Sequence, residues 1–559
     1  MKRVLITDWG DGARFFHVWG QAQPKKTSEH RTSEHSALIT THIVALCPAP
    51  STWEALSADV QQHLPELHKH WWGLTEGLHR FDLGCVQLTM CVGDPLSSLK
   101  ALNAVFDDIW QGQAADKWWF KALAQHCQTG TRLQCVGEAA TPDILRQAGF
   151  VPDKLEQELV PVLGAGTQWR YQPHWKIRRP RQVQAQRSVE AASPVLVIGA
   201  GLAGSSVAAA LARRGHRVTV LDAADHPAAG ASGLPAGLMA PLLSRDDNPR
   251  SRLIRAGLRL SLQAVAGLRE GYGITGLLEK NAAQALPPAA ELMAWSAAQG
   301  DDVWHPHAAW VCPAALVKHW LATPGVTFQG NSQVARLSRH EDQWQAHNDQ
   351  GQTLAQAPRV VLAHAMSSLA LSAQLQPDLP AGVAQGMRGL VVMGEQPAFN
   401  SNTTQSILPA HPINGNGGFI PHLPTQSGTA WVFGATYEAS SPEPLNVDQH
   451  VQANQSKLAA LLPELAGLLP GHLQTGTLAH WQGERCVTQD RFPLLGHLDE
   501  AQTLWLCTGL GSRGLSFAAL CAEQLAAQWH QEPAPLSKDL ARFVALDRLY
   551  TTKQIYSHN

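Results

Sequence analysis

The chain has 559 residues, enough for two to four domains, and its apolar content of 44% can supply several hydrophobic cores. A net charge of −2 excludes a globally basic nucleic-acid binder, so any polyanionic partner needs a local basic patch. No leader peptide and no apolar stretch of membrane-spanning length is visible, so we expect a cytoplasmic protein that does not bind membranes.

Nine cysteines are scattered along the chain, without the paired spacing that zinc ligands show. They predict buried free thiols in a reducing compartment, and no metal site is expected.

The first 169 residues alternate strand-like and helix-like segments. "RVLITD" and "THIVALC" read as strands, "DPLSSLKALNAVFDDIW" and "AADKWWFKALAQHC" as helices, "TRLQCVG" as a strand and "TPDILRQAGF" as a short helix. This α/β pattern predicts a Rossmann-like domain with a parallel sheet over residues 1–169. A basic segment with three prolines, residues 170–194, predicts a linker to the second unit.

The second unit opens with "PVLVIGAGLAGSSV", in which a buried strand leads into Gly199, Gly201 and Gly204. A helix of small residues follows, and the next strand, "RVTVLD", ends on Asp222. The glycines allow a tight turn, a close approach of backbone to pyrophosphate and close packing of helix on strand, while the acid accepts ribose hydroxyls. The whole pattern predicts a dinucleotide site.

A second glycine loop, "GLGSRGL", closes the same unit near its far end. A second glycine loop at the end of the unit favours FAD over NAD. In FAD oxidoreductases a terminal loop and helix cover the flavin ring, whereas NAD domains do not need them. The alternative is a plain turn between strand and helix. The loop residues expected at the cofactor are Gly509, Gly511, Ser512, Gly514 and Leu515.

Several longer segments carry a family resemblance, namely "DAADHPAAGASGLPAGLMAPLLS", "WVCPAALVKHWL" and "ERCVTQDRFPLLGHL". Together with "GLGSRGL" they resemble the FAD-dependent part of the bifunctional tRNA 5-methylaminomethyl-2-thiouridine biosynthesis proteins, in the glycine/D-amino-acid oxidase fold group. The resemblance implies an α+β FAD-dependent oxidoreductase domain over 195–559. Its FAD-binding parts would cover about 195–265, 355–370 and 475–559, and its substrate-binding parts about 270–350 and 380–474.

The resemblance also implies an activity on the wobble uridine of tRNA. FAD would take hydride from the carboxymethyl group of 5-carboxymethylaminomethyl-(2-thio)uridine, and loss of that group would leave 5-aminomethyl-(2-thio)uridine. The partner would then be tRNA and not DNA. Two alternatives remain open, namely a small-molecule amine oxidase of the glycine or sarcosine type and a catalytically silent FAD-containing RNA-binding protein.

Five residues are candidates for this oxidation site. Arg485 is the first candidate for the substrate carboxylate, because a planar guanidinium can clamp a carboxylate with two hydrogen bonds. Arg513, inside the terminal glycine loop, could bind the same carboxylate or stabilise charge on the reduced flavin. Tyr437 is a weaker candidate for the pocket wall. By family position, Ser232 and Gly233 would touch FAD through backbone N–H groups.

In this family the N-terminal unit is an S-adenosylmethionine-dependent methyltransferase that methylates the freed amine. "TDWGDGARFF" stands where the family has its cofactor loop. Asp8, Gly10 and Gly12 would be remnants of that loop, and Asp107 a remnant of the acceptor loop.

Other residues of the N-terminal unit depart from the family pattern. Asp11 adds a second acid to the cofactor loop, and Arg14 places a long cation beside it. The strand "THIVALC" ends on Cys47, where an acid should accept the ribose hydroxyls. These departures predict a degenerate domain, with a divergent methyltransferase as the alternative.

Two features of the sequence are candidates for contacts with RNA. Tryptophan pairs at 71–72 and 118–119 could stack on bases, although such pairs also fill hydrophobic cores. The linker could contact phosphates or remain a solvated segment. Its candidate residues are Lys176, Arg178, Arg179, Arg181 and Arg187.

Overall fold

The computed structural model divides the chain into two compact units. The first comprises residues 1–193, 213–215 and 523–541, and the second comprises 194–212, 216–522 and 542–559. The described residues are 1–23, 38–49, 52–136, 140–153, 166–175, 193–288, 292, 294–376, 379–380, 382–395, 408–426, 428–439, 443–468 and 479–550. The basic linker residues 176–192 lie outside this set.

The first unit is built on one sheet with helices between its strands. Its strands are β1 (Lys2–Ile6), β2 (Thr41–Cys47), β3 (Gly77–Leu83), β4 (Val86–Val92), β5 (Phe106–Gln111), β6 (Cys127–Val136), β7 (Phe150–Pro152) and β8 (Gly166–Tyr171). Its helices are α1 (Ala13–Ala22), α2 (Ala58–His63), α3 (Pro65–His68), α4 (Pro95–Ala101), α5 (Lys117–Ala124) and α6 (Pro142–Gln147).

The sheet order is β3-β4-β2-β1-β5-β6-β8-β7, and β1 pairs in parallel with both β2 and β5. The parallel strands at the centre of this sheet agree with the predicted Rossmann-like sheet. Outside the centre, β3 runs antiparallel to β4, and β8 runs antiparallel to β6. The chain order reverses between β1 and β5. In open sheets of this type, ligands bind at the carboxyl ends of the strands on either side of such a reversal.

Two expectations for the first unit need correction. The segment "DPLSSLKALNAVFDDIW" is not one helix, because α4 ends at Ala101 and β5 begins at Phe106. β5 is a central strand, paired with β1 and β6, and such non-local pairing is not visible in local periodicity. The linker also starts later than expected, because Arg170 and Tyr171 belong to β8.

Tryptophans contribute to the core on one face of this sheet. Trp9, Trp53 and Trp71 are buried there with Phe15 and Phe81. The rings of Trp9 and Trp71 stack with centroids 5.5 Å apart. Trp71 of the first tryptophan pair therefore lies in the hydrophobic core, which is one of the two interpretations of such pairs.

The other strands and helices follow in chain order. The strands are β9 (Pro194–Ile198), β10 (Arg217–Leu221), β11 (Gly237–Met239), β12 (Tyr272–Gly273), β13 (Leu277–Glu279), β14 (Ala297–Gln299), β15 (Asp302–His305), β16 (Ala309–Val311), β17 (Val326–Gln329), β18 (Arg336–His340), β19 (Gln343–His347), β20 (Thr353–Ala357), β21 (Arg359–Leu362), β22 (Ala384–Glu395), β23 (Ile413–Gly415), β24 (Gly417–Thr425), β25 (Gly428–Gly434), β26 (Glu438–Ala439), β27 (Ala479–Thr488), β28 (Leu494–His497) and β29 (Leu504–Thr508). The helices are α7 (Leu202–Ala212), α8 (Pro249–Ala266), α9 (Pro313–Leu321), α10 (Met366–Leu375), α11 (Val447–Leu461), α12 (Pro463–Leu468), α13 (Gly514–His530) and α14 (Lys538–Val544).

The second unit contains a six-stranded sheet of order β17-β10-β9-β21-β29-β28. Its β9, α7 and β10 form the predicted βαβ element, and its neighbouring strands are parallel up to β29. β17 lies in the range expected for substrate binding, but it pairs with β10 and so belongs to this sheet. The range expected for substrate binding, about 270–350, therefore includes one strand of the sheet that carries the first glycine loop.

A larger antiparallel-rich sheet provides the other wall of the second unit. Its order is β14-β15-β13-β23-β24-β25-β22-β26, and β27 pairs with β22 beside this path. β27 lies in the range expected for FAD binding, yet its ten-residue ladder with β22 places it in this second sheet. The site residue Arg485 lies on this strand.

None of the nine cysteines forms a disulfide, and all but the half-buried Cys312 are buried. Burial raises the pKa of the Cys91 thiol to about 12. Among the described helices, none combines the length and the hydrophobicity that crossing a membrane requires.

Candidate active site

The first glycine loop of the second unit is held by close backbone contacts. Gly199 has a φ of +108°, and a Cβ there would lie 2.7 Å from the carbonyl oxygen of Ala363. A Cβ on Gly204 would collide with the carbonyl oxygen of Gly199, so this glycine allows the helix to pack on the loop. Gly201 faces Ser232, whose hydroxyl would lie 3.1 Å from an added Cβ. These contacts leave little room for side chains at the three glycine positions of the loop.

Asp222 follows β10 and faces this loop. One carboxylate oxygen accepts a hydrogen bond from the Ala200 N–H at 2.6 Å, and the other accepts one from the Ala224 N–H at 3.0 Å. Each oxygen retains a further lone pair for a ligand hydroxyl. The carboxylate is therefore oriented by the backbone at the edge where the dinucleotide fingerprint expects it.

Two cavities meet at this edge, and both lie within the second unit. The larger has a volume of about 700 Å³ and the smaller about 270 Å³. Gly199, Asp222 and His364 line both of them. The two cavities thus share the glycine loop and Asp222, the residues that the dinucleotide fingerprint expects at the cofactor.

The larger cavity brings together most of the predicted site residues. Those in its wall are Gly199, Gly201, Asp222, Ser232, Tyr437, Arg485, Gly509, Gly511, Ser512, Arg513, Gly514 and Leu515. Gly204 and Gly233 are outside the wall. Gly204 acts by packing, whereas the N–H of Gly233 donates to the Gly230 carbonyl at 2.8 Å and is not free for a phosphate. The expected backbone contact between Gly233 and FAD is therefore not supported by this geometry. The absence of a side chain at Gly233 instead leaves room for the Ala228 carbonyl.

Ser232 makes a further contact through its side chain. Its hydroxyl oxygen accepts a hydrogen bond from the N–H of Leu202 at 3.0 Å. Leu202 is the first residue of α7, whose amino end faces the loop. Ser232 therefore stands at the helix terminus that phosphates of a dinucleotide use.

Arg485 is a half-buried cation in the wall of the larger cavity. Its Nη1 is buried and has no hydrogen-bond partner among the described residues. Its guanidinium lies 5.9 Å from the ring centroid of Tyr437, and burial lowers its pKa. A largely desolvated cation that has no carboxylate partner among the described residues is costly, so the geometry suits a carboxylate that arrives with a ligand.

Arg513 is more firmly tied to the protein. Its Nη1 donates to the carbonyl of Ala240 at 3.3 Å. Burial lowers the pKa of Arg513; Arg250 acts in the same direction and Glu279 opposes it. Arg513 therefore links the terminal glycine loop to Ala240, and its charged side chain also lines the cavity.

The sequence interpretation missed His364, which follows β21 and lines both cavities. Burial lowers its pKa to about 4, and its Nδ1 lies 3.1 Å from the Ser368 hydroxyl. The available signal was the buried run "RVVLAH", because a strand that pairs with β9 must end beside the glycine loop. The pairing itself is not visible in the sequence.

At the reversal between β1 and β5 lies the position where doubly wound sheets have their ligand crevice. The Thr7 N–H donates to the Trp110 carbonyl, and the Trp9 N–H donates to the Leu46 carbonyl, both at 3.0 Å. These bonds hold the loop that follows β1, with Asp8, Gly10 and Gly12, at the carboxyl edge of the sheet. The predicted remnants Gly10 and Gly12 have φ of +58° and +82°.

The Arg14 guanidinium lies at this position, next to Asp8 and Gly112. Its Nη1 lies 3.3 Å from a carboxylate oxygen of Asp8, and a Cβ on Gly112, just beyond β5, would collide with its guanidinium. At the end of β2, the Cys47 thiol donates to the Ala49 carbonyl at 2.8 Å. The site thus holds an internal ion pair where a cofactor would need space and an acceptor for ribose.

Asp107 does not belong to this crevice, contrary to the expectation. It is the second residue of β5 and pairs with Arg3 of β1 at 2.8 Å. Both residues lie near the amino ends of parallel strands, at the edge opposite the loop that holds Asp8. The carboxyl end of β5 presents Gln111 and Gly112 instead.

The two glycine loops and the cavity that they line define the class of the second unit as an FAD-dependent oxidoreductase. Residues 194–528 match the family described as FAD dependent oxidoreductase. A crystal structure of an Amadoriase I mutant from Aspergillus fumigatus shares the fold at a TM-score of 0.51 and 17% identity, covering 65% of this chain and 92% of that one. The predictions of FAD as cofactor and of this fold are confirmed.

Relatives cover both units. A protein of Polaromonas naphthalenivorans named "tRNA 5-methylaminomethyl-2-thiouridine biosynthesis bifunctional protein MnmC" is 40% identical, with 98% of this chain and 90% of that protein covered. One of the same name from Polaromonas sp. (strain JS666 / ATCC BAA-500) is 39% identical, with 96% and 89% covered. The chain belongs to the family of tRNA 5-methylaminomethyl-2-thiouridine biosynthesis bifunctional proteins, as the motifs predicted.

Proposed function

We propose that the second unit oxidises the carboxymethylaminomethyl group on the wobble uridine of tRNA and leaves an aminomethyl group. The observation that carries this proposal is the half-buried guanidinium of Arg485 in the cavity wall, whose buried Nη1 has no hydrogen-bond partner among the described residues. The substrate group is an N-substituted glycine, so it brings the carboxylate that this cation lacks. A tRNA substrate also agrees with the expected cytoplasmic location.

The residues fit FAD at the glycine loop, at Asp222 and at the amino end of α7. Bound FAD supplies a hydride acceptor for the α-carbon of the substrate. Arg485 would hold the substrate carboxylate, and Tyr437 would line the path beside it. As the C–H bond breaks, the amine lone pair forms a C=N bond. Addition of water then releases glyoxylate and the aminomethyl uridine.

Anaerobic mixing of the protein with tRNA that carries the carboxymethylaminomethyl group tests this proposal. We expect the visible flavin band to bleach and nucleoside mass spectrometry to show the aminomethyl uridine. Equal bleaching by free glycine or sarcosine would instead identify a small-molecule amine oxidase. Absence of bleaching with all of these compounds would leave a silent RNA-binding flavoprotein.

We further propose that the first unit does not transfer methyl groups. Its residues do not fit S-adenosylmethionine, because the Arg14–Asp8 pair lies at the position of the ligand crevice and Cys47 offers no carboxylate for ribose. The methylaminomethyl product would then require a methyl transfer on another polypeptide. Nucleosides formed by the protein with S-adenosylmethionine present test this point, since a methylated product would contradict it.

A further inference from the structure

Trp118 is a large apolar side chain that the first unit leaves in solvent. It is 58% exposed, whereas Trp9, Trp53 and Trp71 of the same unit are buried. Exposing an indole forgoes the stabilisation of about 25 cal/mol per Å² that burial of apolar surface provides. The Trp118 indole is therefore available for contact with a partner outside the hydrophobic core.

The position of Trp118 is fixed by its neighbours in α5. The Asp116 carboxylate caps the helix by accepting hydrogen bonds from the Trp118 and Trp119 N–H groups at 3.0 and 2.9 Å. The Trp119 indole donates to the Gln111 side chain at 2.9 Å. Trp119 thus anchors the start of the helix to the end of β5, and the same helix presents Trp118 at the carboxyl edge of the sheet.

Two lysines accompany the exposed ring. The ammonium groups of Lys117 and Lys121 lie 5.2 and 5.4 Å from a Trp118 ring centroid. Both side chains are exposed, and neither forms a salt bridge within the described residues. The nearest acid in sequence, Asp116, is engaged in capping. The patch therefore combines an exposed indole with two exposed lysines over its ring and one capping acid, Asp116, in a chain whose net charge is −2.

Single-stranded nucleic acids match this combination, because each unpaired base has a face that can stack and each nucleotide carries a phosphate. An apolar protein partner would match the ring but not the charges, and an acidic peptide would match the charges but not the flat face. We propose that Trp118, Lys117 and Lys121 form a binding patch for an unpaired segment of tRNA, with a base on the indole and adjacent phosphates on the lysines.

This proposal rests on tRNA being the substrate and gives the first unit a role that does not need a methyl donor. A unit with Arg14 at the position of its donor crevice can still hold RNA at the same edge of its sheet. Its role would be to raise the affinity of the whole protein for tRNA, while oxidation takes place in the second unit.

The test is equilibrium binding of an unmodified, fluorescein-labelled tRNA transcript to the full-length flavoprotein across a salt series. Trp118→Ala should raise Kd roughly 5- to 100-fold, as expected for loss of one stacked base. Lys117→Gln and Lys121→Gln should each reduce the slope of log Kd against log salt by about 0.7, the value for one phosphate contact on a single strand.

Matched controls are Val151→Ala, which trims another exposed apolar side chain of the same unit, and Lys69→Gln, which removes an exposed lysine paired with Glu66 at 2.7 Å. Both should bind like the wild type. Unchanged Kd and slope in the three patch variants, or equal losses in the controls, would overturn the proposal. A change of oligomeric state in Trp118→Ala with unchanged RNA binding would assign the patch to a protein contact. Since the transcript is unmodified, this result is independent of the flavin-reduction test of the oxidase function.

Discussion

The Arg14 guanidinium lies 3.3 Å from the Asp8 carboxylate, in the crevice where a doubly wound sheet binds its ligand. The acid that the family pattern places before its cofactor loop is therefore neutralised by a cation from the following helix. Gly112 leaves room for this cation, because any side chain there would collide with it. Loop, helix and strand end together place an ion pair at the edge where the family pattern expects the methyl donor.

This relationship predicts how methyl-donor binding could be regained. The wild-type protein should show no binding of S-adenosylmethionine in titration calorimetry. Arg14→Gly alone opens the crevice, but the ribose still lacks an acceptor, which costs roughly 1–3 kcal/mol. The double variant Arg14→Gly, Cys47→Glu should therefore bind more tightly than Arg14→Gly. Binding by the wild type, or no gain from Glu at position 47, would contradict this account of the crevice.

Arg485 provides a prediction for the oxidation site. Arg485→Gln should lower kcat/KM for modified tRNA roughly 10- to 100-fold, the range for losing a hydrogen-bonded charge pair. Arg485→Lys should recover only part of this loss, because an ammonium cannot form the two parallel hydrogen bonds of a guanidinium. The measurement is the rate of anaerobic flavin reduction across a series of modified tRNA concentrations, whose initial slope gives the second-order rate constant for comparison.

A matched control lies on the neighbouring strand β22, where Arg388 approaches Glu484 at 3.6 Å. Arg388→Gln should leave kcat/KM close to the wild-type value. If both arginine variants lose activity equally, the effect is electrostatic at long range. In that case Arg485 has no specific role with the carboxylate.

The two glycines after Gly199 should respond differently to an added methyl group. Gly204→Ala should fail to form a stable second unit, because its Cβ would collide with the Gly199 carbonyl. Gly201→Ala should fold, because the hydroxyl of Ser232 at 3.1 Å can rotate, but it should lose FAD as the methyl group occupies the approach to the pyrophosphate. Circular dichroism and flavin absorbance together separate the two outcomes. A Gly204→Ala protein with full flavin content would refute this account of the packing.

Local motifs were predictable from the sequence because their parts are adjacent in the chain. Gly199, Gly201 and Asp222 belong to one continuous βαβ element, and the structure places them in one cavity wall. His364 was missed because its position depends on the pairing of β21 with β9, far apart in sequence. Asp107 was assigned by resemblance to the family's acceptor loop, whereas its place near the amino end of β5 depends on the pairing of β5 with β1.

His364 leads to a prediction about pH. Its pKa is about 4 in the folded protein because of burial, against about 6.5 in an unfolded chain. Between these values the unfolded state binds more protons, so the free energy of unfolding rises with pH through this window. Stability should therefore be fully present above pH 6.5 and should fall as the pH decreases toward 4, by about 3 kcal/mol from this group.

Replacing the titrating group tests this assignment. His364→Asn keeps a polar atom near Ser368 but cannot be protonated, so its free energy of unfolding should vary less between pH 6.5 and 4 than that of the wild type. Urea unfolding across this range provides the measurement. His340→Asn, at an exposed position, is the matched control and should retain the wild-type slope. If His364→Asn keeps the full wild-type slope, protonation of another group accounts for the loss of stability in acid.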